Sequence, residues 1–348
     1  MIHSEPQNRP PPGKSRARKP DWFHSLRFRL EWLGLKGATW VVPRLPLGLW
    51  RHLAEAVAFA FYYLDRRGRR VGLANLEAAF GDRYPPARRE QIARQALAGF
   101  ARSFLELFWS PRLNRNNIPS YMTMTGSAEA RRLSEKGGVI LVSVHLANFE
   151  WGSGLFAFEG QPGLELTQRF RNDRLTPIFR RLREHSGHTI VTQEQSMIRF
   201  YKALRRGQRV GLLTDLTLKM NEPGTFVRCF GLWTWTTIMH AALQSRTGAP
   251  IIPFVTIPQG DGRYEVRLLE PILHDPNRSL RQIAQLCWDR FEPVIAEHPE
   301  CWLWSYKHWR YRPALPDRPY PFYANRSPWF DLEWEKEIGP IPVELQIY

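Results

Sequence analysis

His145 and Glu150 stand five positions apart in "GVILVSVHLANFEWG", residues 138 to 152. An imidazole takes a proton when a carboxylate holds its other nitrogen, and that pairing is the core of general-base catalysis. On one regular helix, five residues turn through about 140°, so the two side chains would point apart. They can meet if His145 lies in the turn after a strand, Asn148 caps the next helix and Glu150 falls in its first turn. A strand-end histidine beside an unrelated surface glutamate is the competing reading, and composition leaves both open. No GxSxG nucleophile elbow is present. Ser143 shares a strand face with His145, but nothing marks it as exposed. The pair could instead deprotonate a hydroxyl of the substrate with no covalent enzyme intermediate, which is the logic of direct acyl transfer from a thioester.

A site of this kind needs a rigid strand end, and the chain supplies several. "GGVILVSV" is a continuous apolar run, the pattern of a strand buried on both faces. His145 follows where such a strand ends, which is where ligands bind in α/β sheets. "EWGSGLFAFEG" reads as a short helix, and "LELTQRF" and "HTIVT" read as strands around the helical "RLTPIFRRLREHSG". "SMIRFYKALRRG" is a helix closed by Gly207, "RVGLLTD" a second buried strand, and "WTTIMHAALQSRTG" a helix ending at Gly248. Two strands joined by a GDG turn and a long amphipathic helix follow. This alternation predicts an α/β fold with a mixed, largely parallel central sheet flanked by helices.

Upstream the pattern is helical. Residues 1–20 are proline-rich and basic and read as a disordered arm without a signal-peptide core. Residues 21–110 read as a membrane-associated helical region, 111–312 as the α/β domain, and 313–348 as an extension packed on the surface. The apolar stretch 53–64 is shorter than the ~20 residues that cross a bilayer, so a helix lying in the interface fits better than a span. It runs into Arg66, Arg67, Arg69 and Arg70, which could dress a helix end or meet anionic headgroups.

The net charge of +16 calls for a polyanionic partner, and 14 tryptophans shift the choice toward a membrane surface. The basic residues lie on amphipathic helices among Trp and Leu, so nucleic acid is not expected. Cys229, Cys287 and Cys301 are widely spaced with no CxxC, which argues against a disulfide framework or a thiolate zinc site.

Taken in order, these segments resemble the bacterial lipid A biosynthesis (lauroyl/myristoyl) acyltransferase family of the H-x4-D/E superfamily. "HLANFE" has the H-x4-E form. "LDRRGRRVGLANLEAAFGD" is similar to the family's N-terminal helix pair, and "RFRNDRLTPIFRRLREHSG" to its helix ending in Arg-x-x-x-Gly. "GLLTDLTLKMNEPGTFVRCFG" resembles its Asp-Gln segment and Val-Pro-Phe-Phe-Gly loop, and "HPECWLWSYKHWRYRP" its tryptophan-rich motif. The resemblance implies His145 as base on an acceptor hydroxyl and Glu150 as its orienting acid. It implies a functional role for Arg183, with Arg181 the neighbouring candidate, and for Asp215 at a strand end. Arg169 and Arg171 could bind phosphate or be surface charge, and Arg228 stands where the family has Pro.

The donor implied is acyl carrier protein or coenzyme A, with no cofactor and no metal. The acceptor implied is a lipid A-type glycolipid, at the cytoplasmic face of an inner membrane. Departures bear on that acceptor: Leu216 replaces Gln, "LWTWTT" replaces Ala-x-Thr, Tyr306 replaces His and His308 replaces Arg. A lysophospholipid, a phosphatidylinositol mannoside or another glycolipid is therefore an alternative acceptor. A non-catalytic basic membrane-binding protein is the alternative to an enzyme.

Overall fold

The computed structural model describes residues 21–342. Four helices come first: α1 (Asp21–Val41), α2 (Leu47–Leu64), α3 (Arg66–Phe80) and α4 (Pro86–Trp109). Strands and helices then alternate as β1 (Met122–Gly126), α5 (Ala128–Lys136), β2 (Ile140–Ser143), α6 (Phe149–Phe158), β3 (Gly163–Thr167), α7 (Thr176–Glu184), β4 (Thr189–Thr192), α8 (Ser196–Arg205) and β5 (Arg209–Leu213). A hairpin of β6 (Gly224–Cys229) and β7 (Leu232–Thr237) leads to α9 (Met239–Thr247), β8 (Ile251–Pro258), β9 (Tyr264–Leu268), α10 (Leu280–Glu297) and the late helix α11 (Pro328–Glu337).

Seven strands form one sheet in the order β1-β9-β8-β2-β5-β3-β4. Every pairing in it is parallel except β8 with β9. The expected mixed, largely parallel sheet is thus observed. β2 takes the middle, as its unbroken apolar run requires, since both its faces are covered. Ile140, Val142 and Val144 enter one core with Phe200, Leu243, Trp288 and Phe291. Val139 and Leu141 enter the other with Phe108, Trp151, Phe156 and Phe179. The period of two along a strand therefore divides one segment between two helical layers.

Three sequence expectations are corrected. Trp235, Thr236 and Thr237 end a strand rather than begin a helix, because the loop expected at 227–231 belongs to the β6–β7 hairpin. Thr237 then accepts from the Met239 amide (3.2 Å) as α9 opens. The strand expected over "LELTQRF" stops at Thr167. The C-terminal extension does more than cover the surface: Phe330 of α11 is fully buried in a small core with Phe226 and Trp235. The basic arm at residues 1–20 lies outside the described residues.

Among the described residues, no helix is long and apolar enough to cross a membrane. α2 nonetheless has an inverted character. Its buried positions are Ala54, Ala58 and Tyr62, spaced by four along the face that meets α4. Leu53, Val57, Phe59, Phe61, Tyr63 and Leu64 are all exposed, Leu64 to 79%. Leu30, Leu33 and Trp40 of α1 are exposed as well.

Candidate active site

The register of the sheet builds the site. β2 and β5 run parallel with Ser143 opposite Leu213. Continuing two residues along each strand places His145 beside Asp215. Asp215 Oδ1 lies 2.7 Å from His145 Nδ1, and Oδ2 accepts from the His145 backbone amide at 3.0 Å. Trp302 Nε1 donates to the same Oδ2 at 2.9 Å. The Asp215 side chain is fully buried. Burial alone would raise its pKa, but the His145 ring, its hydrogen bond and His308 outweigh that and hold the carboxyl down at about 2.

A carboxylate only accepts, so Nδ1 must carry the ring proton, and the lone pair of neutral His145 is on Nε2. Nε2 makes no hydrogen bond to the described residues, and the side chain keeps 14% of its surface open. The imidazole is thus fixed in tautomer and orientation with its basic nitrogen facing out. The Phe149 ring meets it edge-on at 4.8 Å.

Glu150 is not the partner of His145. The expected pair is corrected by the geometry: Glu150 is engaged by Arg183 of α7, Nε to Oε2 at 2.9 Å and Nη2 to Oε1 at 2.6 Å. Arg183 Nη1 also donates to Thr167 Oγ1 at 2.8 Å, at the end of β3. The physical reason is the direction of the first turn of α6. It points Glu150 along the sheet toward β3, while His145 reaches across to β5. Beneath this pair sit Glu165, bonded by Ser153, and His188, 3.3 Å from Glu165. Burial is the main cause that raises the Glu165 carboxyl, with Glu150 adding to it.

The turn between β2 and α6 is clamped from two sides. Ala147 holds a positive φ of 45°, a costly backbone for a residue with a Cβ. Its carbonyl accepts from Ser103 of α4 (2.5 Å), and its amide donates to Cys301 O (2.8 Å). Asn148 caps α6 as expected, its Oδ1 accepting from the Trp151 amide at 3.0 Å. Asn148 Nδ2 then donates to Glu106, a fully buried carboxylate that also accepts from Tyr264 (2.8 Å). Gly152 lets the helix lie against β8, since a Cβ there would come 2.0 Å from Thr256 Oγ1. Ser143 is buried and donates to Phe254 O at 2.7 Å, so it is no exposed nucleophile.

The remaining candidates separate from this centre. Arg169 pairs with Glu194 at 3.0 Å and Arg228 with Asp317 at 2.8 Å, all four exposed. Arg181 lines a surface cavity with Arg169 and Arg180, and Arg171 lines another against α1. None of these four hydrogen-bonds to His145, Asp215, Glu150 or Arg183. Trp302, which donates to Asp215, is the residue of this centre that sequence spacing missed. The positions that depart from the family pattern are in use: the His308 ring stacks on Trp302 at 3.9 Å, and Tyr306 OH donates to Thr217 O at 2.9 Å.

The model of the family described as bacterial lipid A biosynthesis acyltransferase matches residues 17–311. A search of curated proteins finds no match. With a family model covering most of its length, the chain belongs to the bacterial lipid A biosynthesis acyltransferase family.

Proposed function

We propose that this acyltransferase moves a fatty acyl chain from an acyl carrier protein or coenzyme A thioester to a hydroxyl of a glycolipid, with His145 as base and Asp215 as the carboxylate that orients it. Nε2 of His145 takes the hydroxyl proton while the oxygen attacks the thioester carbonyl. Collapse of the tetrahedral intermediate breaks the C–S bond. The leaving thiolate takes the proton back from Nε2, and an ester and a free thiol result. Glu150 and Arg183 fix the first turn of α6 and so position His145 from behind. The observation that carries this reading is the His145 ring, tied at Nδ1 to an ionised Asp215 with Nε2 free.

The enzyme works at the cytoplasmic face of an inner membrane. Support comes from the exposed apolar rows of α1 and α2 and the charge of +16. Apolar side chains enter the interface, and the cations meet anionic headgroups. The same charge attracts an acidic carrier protein.

Lipid mass spectrometry of cells with and without the protein tests this function. The expected result is a lipid whose mass falls by one acyl group on deletion, restored by the wild-type protein and not by His145→Ala. An unchanged lipid profile on deletion, or full rescue by His145→Ala, overturns it.

A further inference from the structure

A further cavity, about 360 Å³, opens between the start of α3 and the segment that follows Trp302. Arg66, Arg67, Arg70, Val71, Lys307 and Phe322 line it. The volume falls at the small end of ligand pockets, about 300–1,000 Å³. Its four cations make no ion pair with the described residues. Elsewhere on the neighbouring helices arginines are paired: Arg51 with Glu106, Arg89 with Glu77, Arg102 with Glu55.

The pocket is held in shape. Asn75 of α3 donates to the carbonyls of Trp304 and Tyr306, both at 2.7 Å, which pins the lysine-bearing segment to the helix. Arg70 lies over the Phe322 ring at 4.6 Å and Lys307 over Tyr323 at 5.0 Å. Desolvation, followed by Arg67 and Arg310, lowers the Lys307 pKa. Like charges therefore crowd here without a protein counterion, and an anion relieves them. Arginine forks match phosphate oxygens in pairs.

Two neighbours identify the source of the anion. The exposed Phe61 and Leu64 of α2 end just before Arg66, and Phe322 at the rim is itself 60% exposed, so the pocket opens at the edge of the apolar surface. Its far wall, Lys307, stands on the segment that sends Trp302 to Asp215. We propose that this pocket binds the phosphate group of a membrane lipid headgroup and thereby aligns the acceptor with His145. Naming that lipid as the acceptor rests on the acyl-transfer reading; the phosphate binding itself does not.

The test is binding of the full-length protein to phosphatidylcholine vesicles doped with phosphatidic acid, or with phosphatidylglycerol at matched surface charge. Arg67→Gln/Lys307→Gln is compared with the equal-charge control Arg205→Gln/Arg206→Gln at the C-terminal end of α8. The pocket variant is expected to lose about tenfold more affinity for phosphatidic acid than the control loses, as paired charge-assisted bonds to phosphate require. If it does not fold, as judged by its thermal melt, Arg66→Gln/Arg70→Gln replaces it with the same expectation. Equal losses in pocket and control variants overturn the proposal. So does a melting temperature raised by inorganic phosphate alone in the wild type, coupled with unselective vesicle binding, since the ligand would then be free phosphate. A protein that binds phosphatidic acid as described but transfers no acyl group defeats the acyltransferase reading and leaves this one standing.

Discussion

At the scale of residues, one histidine is served by two carboxylates in different ways. Asp215 touches His145, whereas Glu150 touches Arg183. Both pairs are largely buried, and a buried charge that loses its partner is strongly destabilising. Arg183→Met is therefore expected to destabilise the fold by about 3–5 kcal/mol, while Arg183→Met/Glu150→Met destabilises it by less than the single change, because no orphan charge remains. Denaturant unfolding of both variants measures this, and a double variant worse than the single would speak against an isolated pair. The histidine, the glutamate and the strand-end aspartate were all legible in the sequence. Which carboxylate faces the imidazole was not. That depends on β2 lying beside β5 with Ser143 opposite Leu213, a contact between segments far apart in the chain.

At the scale of elements, continuous apolar runs gave the buried strands, and helical spacing gave α7, α8 and α10. The hairpin β6–β7 escaped although "WTWT" alternates, because "VRCFG" reads as a loop and Trp235–Thr237 join the helical pattern that follows. α9 lies between α8, α10 and β2 and buries His240 with neither ring nitrogen bonded to the described residues. Burial lowers the His240 pKa from 6.5 to about 4. The unfolded chain takes up this proton on acidification before the folded one does. Its contribution to stability is thus full above about pH 6.5 and is lost as pH falls toward 4, by roughly 3 kcal/mol in total. His240→Leu removes that pH dependence. The variant is expected to lose less melting temperature than the wild type between pH 7 and pH 4.5, and parallel declines would contradict the assignment.

At the scale of the whole molecule, the fold is a two-sided α/β layer structure with its central strand aimed at the site, and its first two helices, α1 and α2, turn a row of large apolar residues outward. The apolar rows were visible in the sequence, whereas their exposure followed only once Ala54 and Ala58 took the face against α4. Each phenylalanine that enters lipid contributes about 1.5–3 kcal/mol. Phe59→Ser/Phe61→Ser is expected to weaken vesicle partitioning by at least about a hundredfold while leaving the melting temperature close to that of the wild type. Flotation assays on anionic vesicles check it, and unchanged flotation would contradict it.

The central claim is that His145 and Asp215 act as one unit. It is tested most directly by the rate of labelled acyl transfer from acyl carrier protein to a membrane lipid extract, compared among the wild type, His145→Ala, Asp215→Asn and the double variant. A correctly folded Asp215→Asn protein is predicted to lose about 10³–10⁴-fold in kcat, with the double variant no slower than the slower single. An Asp215→Asn enzyme within tenfold of the wild type, or losses that multiply in the double variant, would contradict it.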